Sequence, residues 1–169
     1  MQIFYIKVDK FKKSHDKNFL IQYANVEFTS EKRFYEYTIG RYLVKHVAKK
    51  YYNINDTEII KNANGKPIFK NANLYFSISH SKNIVIACFD KYPCGIDIEY
   101  IKNRNLNKLS EYFDKNFKTL EDFYKFWTTQ EATYKVNQTN KFIHNQIFQN
   151  CYYLTISGQC KNFDICEIS

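Results

Sequence analysis

Cys94-Gly95-Ile96-Asp97-Ile98-Glu99 is the stretch that decides how the rest of the chain is read. Ile96 and Ile98 alternate with Asp97 and Glu99, which is the period of a β-strand, so both carboxylates project from one face. Successive same-face positions lie about 6.5–7 Å apart, close enough for two oxygen ligands on one small divalent cation. Downstream, Trp127, Glu131 and Lys135 recur at the i, i+4 spacing that shares one face of a helix. These acids and the lysine suggest a magnesium site that holds phosphate. An isolated D-x-E is far more often the solvated face of an amphipathic strand, so the pair needs support from elsewhere.

Working outward, Gln2 to Val8 reads as a first strand, and Phe11 to Ala24 as a short helix or loop. Thr29 or Ser30 can cap a helix running to about Tyr52, with Phe34, Ile39, Leu43, Val44, Val47 and Tyr51 at roughly helical spacing. Arg33, Arg41 and Lys45 on that helix are available to solvent or a ligand. Asn62-Ala63-Asn64-Gly65-Lys66-Pro67 is a turn. Strands are expected at Leu74–Ser79, Ile84–Asp90 and Gly95–Tyr100, the first two flanking a hairpin turn at Ser81-Lys82-Asn83. Asn105–Asn116 and Leu120–Asn137 read as helices, the second with an apolar stripe of Phe123, Phe126, Trp127, Ala132 and Tyr134. Cys151–Ser157 and Phe163–Ile168 then suggest a closing hairpin around Gly158-Gln159. The order implies an α+β fold of antiparallel strands and packed helices.

A chain of 169 residues supports one substantial core or two small lobes. Its 44% hydrophobic and 18% aromatic content argues for a folded globule. The net charge of +8 favours a polyanionic partner. No block of like charge resembles a nucleic-acid tail, and no apolar run is long enough to span a membrane. The cysteines (Cys88, Cys94, Cys151, Cys160 and Cys166) form no C-x-x-C pair, which argues against zinc. Their odd number, without a signal peptide, fits a reducing cytosol.

Other signals are weak singly. Ser79-His80-Ser81 lacks the surroundings of a hydrolase nucleophile, and offers hydroxyl and imidazole donors to a phosphate instead. Lys66, at a rigid turn tip, can present a point charge to phosphate or simply be solvated. Lys135 can neutralise a pyrophosphate or pair with Glu131 on its own helix. Trp127 is more often core than ligand contact.

In order, however, Gly65-Lys66-Pro67, Phe76-Ser77-Ile78-Ser79-His80-Ser81, Gly95-Ile96-Asp97-Ile98-Glu99 and Phe126-Trp127-x-x-Gln130-Glu131-x-x-x-Lys135 resemble the 4′-phosphopantetheinyl transferase superfamily. The resemblance is to the monomeric, two-lobed type serving peptide and polyketide synthases, and covers roughly Arg33 to Lys135. It implies two similar lobes forming a pseudo-dimer, residues 1–78 and 79–169, the second carrying the metal site. The implied reaction moves the phosphopantetheine arm of coenzyme A to a serine of an apo carrier protein, with Mg²⁺, releasing 3′,5′-ADP in the cytoplasm. Acidic carrier proteins are the implied partners, with neither nucleic acid nor membrane. The resemblance assigns Asp97, Glu99 and Glu131 to the metal, and Glu131 and Lys135 to catalysis, with Lys135 on the pyrophosphate. Lys66, Ser79 and His80 are assigned to coenzyme A phosphates, and Arg41 and Lys45 lie near the family's basic helix residues.

The chain departs from the pattern at Gln130, where the family usually has lysine. Losing that cation weakens anion contacts, although an amide still donates hydrogen bonds. The stretch from Ile101 to Leu120 is also brief for a two-lobed member. These departures leave open a weakened homologue that binds coenzyme A or a carrier protein without efficient transfer.

Overall fold

The computed structural model describes residues 1–136 and 142–168. Strand β1 (Gln2–Lys7) leads directly into the short helices α1 (Val8–Ser14) and α2 (Lys17–Ile21), then the long α3 (Glu31–Tyr52). Ser30 caps α3, its Oγ accepting from the Arg33 N–H at 3.3 Å. Asn53 ends it in the left-handed conformation, while the Ile54 N–H reaches back to the Ala48 carbonyl. Strands β2 (Ile59–Lys61) and β3 (Pro67–Phe69) flank the turn at Gly65, whose φ of +77° suits a residue without a side chain.

Strands β4 (Tyr75–Ser81), β5 (Ile84–Asp90) and β6 (Gly95–Tyr100) follow, then helices α4 (Leu106–Phe113) and α5 (Leu120–Val136). Thr119 and Asp122 start α5 reciprocally: the Asp122 N–H donates to Thr119 Oγ1, and the Thr119 N–H to the Asp122 carboxylate. The expected end of this helix at Asn137 lies outside the described residues. Strands β7 (Phe142–Phe148), β8 (Tyr152–Gly158) and β9 (Asp164–Glu167) complete the described elements.

Among the described residues, the strands form one sheet in the order β4-β5-β1-β9, another in the order β6-β8-β7, and the β2-β3 hairpin. All pairings are antiparallel except β1 with β9, so the fold is α+β as expected. The closing hairpin expected around Gly158-Gln159 does not form. β8 pairs with β6 and β7, whereas β9 crosses to the other sheet and lies parallel to β1. Strand β7 escaped notice because His144, Asn145 and Gln146 break its apolar pattern.

Burial explains the layers. β5 is buried on both faces: Val85, Ala87 and Phe89 join Phe34, Leu43, Val44 and Val47 beneath α3. Ile84, Ile86 and Cys88 meet Ile96, Ile98, Leu154 and Ile156 of the second sheet. The outer face of that second sheet carries Asp97 and Thr155 and receives α5, with Thr128 Oγ1 2.6 Å from Thr155 Oγ1. Tyr51 and Tyr134, both expected in apolar stripes, are exposed. The expected lobe boundary between residues 78 and 79 falls inside β4.

Candidate active site

The two sheets meet where β4 runs beside β6, and serine hydroxyls join them. The N–H groups of Ile96, Ile98 and Tyr100 donate to the Oγ atoms of Ser77, Ser79 and Ser81 at 3.3, 3.2 and 2.9 Å. Period-2 alternation puts these serines on one face of β4, and Phe76, Ile78 and His80 on the other, toward α3. The serine face then reaches the acids: Ser79 Oγ donates to Asp97 Oδ1 at 2.8 Å, and Ser81 Oγ to Glu99 Oε2 at 3.0 Å.

Asp97 therefore does not line a solvated strand face. It is 6% exposed and looks at α5. Lys135 Nζ stands 2.7 Å from its Oδ1 and 3.0 Å from the Ile96 carbonyl. The other oxygen, Asp97 Oδ2, is buried and has no hydrogen-bond partner among the described residues. Burial pushes the Glu99 carboxyl above its ordinary range, opposed by hydrogen bonds from Ser81 and Trp127. Trp127 is thus both a member of the α4–α5 apolar cluster and a partner of the second acid.

Gly95 makes this closeness possible. A Cβ at that position would stand 2.0 Å from the Ala132 carbonyl oxygen, so any other residue would push α5 off the strand. Lys66 braces the same junction. Its ammonium, expected at a turn tip facing phosphate, turns inward and donates to the carbonyls of Cys94 at 2.9 Å and Lys135 at 2.6 Å. The second carbonyl lies in the last turn of α5, where a cation is electrostatically favoured. Burial lowers the Lys66 ammonium below its ordinary range.

Two cavities run along this junction. One, of about 340 Å³, is lined by Gly65, Lys66, Pro67, Ile78, Glu131 and Lys135, among others. The other, of about 580 Å³, shares Pro67 and Ile78 with it and adds Arg33, Arg41, Lys61 and His80. Adjoining at Pro67 and Ile78, they form one groove, with Lys135 and Glu131 toward one end and Arg33, Arg41, Lys61 and His80, along with Glu27 and Glu36, toward the other. Ser79 and His80, adjacent in sequence, serve opposite sides of β4: Ser79 is buried on Asp97, and His80 faces the groove. His80 Nδ1 lies 3.5 Å from Glu36 Oε1. Desolvation lowers its imidazole below the ordinary range, and Glu36 opposes that shift.

The groove separates Arg41 from Lys45. Arg41 lines it, its guanidinium over the Tyr37 ring at 4.8 Å, whereas Lys45 belongs to a different cavity. Four residues advance a helix by about 6 Å, enough to carry Lys45 past the end of the groove. Arg33, Lys61 and Glu36 line the groove without having been singled out as ligands. The sequence leaves Arg33 available to solvent or a ligand, and nothing in the spacing of Lys61 or Glu36 marks them. Gln130 is exposed on α5.

For a divalent cation, the fit rests on Asp97 Oδ2, a buried oxygen lacking a partner, with Glu99 two residues along the same strand face. Among the described residues no group of three or more His, Cys, Asp or Glu side chains is gathered closely enough to hold a metal. No described helix is long and apolar enough to cross a membrane.

Residues 22–89 match the family model described as the 4′-phosphopantetheinyl transferase N-terminal domain. The chain is 30% identical over 155 residues to the 4′-phosphopantetheinyl transferase ffp of Bacillus subtilis, covering 80% of this chain and 69% of that protein. To the 4′-phosphopantetheinyl transferase gsp of Aneurinibacillus migulanus it is 27% identical over 154 residues, covering 80% of this chain and 65% of that protein. To the 4′-phosphopantetheinyl transferase Sfp of Bacillus subtilis strain 168 it is 32% identical over 111 residues, 57% of this chain and 49% of that one. The matched region spans from about half to about two thirds of the length of these relatives. With the serine-bridged sheets, the Gly95–α5 contact and the Asp97–Lys135 pair in view, this similarity makes the chain a member of the 4′-phosphopantetheinyl transferase family.

Proposed function

We propose that the chain transfers the 4′-phosphopantetheine arm of coenzyme A to a serine hydroxyl of an apo carrier protein, with Mg²⁺, releasing 3′,5′-ADP. The observation that carries this reading is Asp97: a buried carboxylate with one oxygen held by Ser79 and Lys135, the second of which lines the groove, and the other oxygen left without a partner among the described residues. Asp97 and Glu99 would hold the metal, with Glu131 as the third acid that the family resemblance assigns to it, and the metal would supply positive charge to the diphosphate when bound.

The chain's own residues do the rest. The serine hydroxyl gives up its proton to a carboxylate base as its oxygen attacks the phosphorus of the pantetheine phosphate, and the bond to the departing 3′,5′-ADP oxygen breaks. Phosphoryl transfer depends on in-line placement and on neutralising the spreading charge. Lys135, fixed by Asp97 and the Ile96 carbonyl, is a preorganised cation for that purpose. Arg41, Arg33, Lys61 and His80 supply donors for the remaining phosphate of coenzyme A at the far end of the groove. Ser79 and Lys66 act indirectly, Ser79 by orienting Asp97 and Lys66 by pinning Cys94 and the end of α5.

In this reading the enzyme works as a cytoplasmic monomer, and its net charge of +8 steers acidic carrier proteins toward it. The test is incubation with coenzyme A, Mg²⁺ and a panel of apo carrier proteins, followed by intact mass. Addition of one phosphopantetheine to a carrier serine is expected. A folded protein that modifies no carrier overturns the reading.

A further inference from the structure

We propose that a second concave site, on α3 beyond the groove, binds a small phosphate-bearing anion through Lys45, Lys49 and Lys50 with Thr57. The cavity measures about 410 Å³ and shares no lining residue with the groove. Its basic residues come from successive turns of α3, and Tyr23 and Tyr42 form a neighbouring aromatic wall, ring centroids 5.5 Å apart.

The wall is positive without a counter-charge. No aspartate or glutamate lines it, and neither Lys45 nor Lys49 makes an ion pair among the described residues. The nearest acid in sequence, Asp56, is turned to other work: its Oδ2 accepts from Asn71 Nδ2 at 2.7 Å, and its Oδ1 from the Glu58 N–H. Thr57 supplies an independent observation. It is only 7% exposed, it lines the cavity, and its hydroxyl makes no hydrogen bond among the described residues. A hydroxyl lining the same cavity as several ammonium groups suits an oxyanion, which can accept from all of them at once.

The charge density favours a phosphate over a carboxylate. Ammonium groups crowded on one concave wall raise the local potential, and a dianion with three acceptor oxygens lowers it more than a monoanion does. The aromatic wall gives the organic part of such a ligand an apolar flank. His46, on the same wall, carries an imidazole held below its ordinary range by burial and by Lys50. Lys45, Lys49, Lys50, Tyr23 and Tyr42 are the charged or titratable groups that line the cavity with it. A bound dianion reverses the influence of Lys50, so the His46 ring reports occupancy.

The site stands apart from the transferase reading and can be tested without it. Histidine-ring NMR of the full chain, titrated with inorganic pyrophosphate at constant ionic strength, should show a saturable change at His46 and a rise in its pKa. Lys49→Gln/Lys50→Gln, at two exposed positions, should weaken that binding about tenfold or more through loss of charge-assisted contacts. Thr57→Val should weaken it while keeping the side-chain shape. Arg41→Gln, on the groove wall, should leave the His46 response unchanged. A His46 change that does not saturate, or that is identical in the double-lysine variant of unchanged urea midpoint, overturns the proposal.

Discussion

Lys135 Nζ stands 2.7 Å from Asp97 Oδ1, and this contact ties helix α5 to one of the two acids on β6. The pair is largely removed from water, with side-chain exposures of 23% and 8%. Replacing one partner of a buried pair strands the other, at a cost of about 3–5 kcal/mol for a fully buried pair and less here, where Lys135 is partly solvated. Asp97→Asn keeps the shape and removes the charge. We expect it to lose Mg²⁺-dependent transfer by at least about 100-fold, a loss of the size seen when a positioned electrostatic group is removed. Its urea midpoint should fall far less than its activity. Full activity in this variant would remove Asp97 from the proposed mechanism.

The Gly95 contact makes a packing prediction. Gly95→Ala places a methyl group 2.0 Å from the Ala132 carbonyl oxygen, a separation that requires the helix backbone to move. Overpacking of this kind costs about 1–3 kcal/mol and can exceed that where backbone must shift. Urea unfolding should show the loss. Circular dichroism should show α5 retained, because the strain displaces the helix without unwinding it.

The serine bridges differ in depth, and their costs should follow. Ser79→Ala removes the acceptor for the Ile98 N–H and the donor to Asp97, both buried. Leaving buried polar groups unsatisfied costs about 1–3 kcal/mol. Ser81→Ala removes similar bonds at a part-buried position, where water can substitute, so it should cost less. Equal unfolding free energies for the two variants would contradict this account.

Glu99 predicts a pH dependence. Burial raises its folded pKa above the ordinary value of 4.5, so the native state holds a proton that the unfolded chain has released in the window just above 4.5. Its stability contribution is therefore fully present below 4.5 and is lost as pH rises through the folded pKa. Glu99→Gln removes that loss. Melting temperatures of wild type and variant should converge near pH 4 and separate toward pH 7, with the variant higher. The opposite separation would mean that the Ser81 and Trp127 hydrogen bonds outweigh burial.

Glu36 faces His80 inside the groove, and its charge opposes the desolvation that lowers the imidazole. Glu36→Gln should lower the His80 pKa further, as read by NMR. It should also tighten coenzyme A binding in calorimetry, because one repulsive charge leaves the groove. Weaker binding would mean that Glu36 is needed to hold His80 in place.

The parts of the fold legible in the sequence are those with local causes. Ser30, the apolar spacing of α3, the apolar run Ile84–Phe89 and the alternation in Gly95–Tyr100 each act over a few residues, and their elements formed close to expectation. Strand β9 was recognisable as a strand but not as a neighbour of β1, because nothing in Asp164–Glu167 encodes its partner. The site followed the same division. Asp97 and Lys135 were identifiable by type and spacing, and the structure brings them together. Lys66 was placed at the right turn, but its hydrogen bonds to the Cys94 and Lys135 carbonyls were not legible, since those acceptors lie far along the chain. The alternating serines of β4 were visible as letters, yet their role depends on β6 lying alongside without backbone pairing.

Strand β1 lies between β5 and β9, so its two neighbours are residues 84–89 and 164–167. During synthesis its first edge waits for β5, and its second waits until almost the whole described chain has been made. Pairings of such long sequence separation slow folding and leave strand edges open meanwhile. The nascent protein is therefore most vulnerable to aggregation between the emergence of β5 and the arrival of β9, the interval in which the acids, α5 and Lys135 are made.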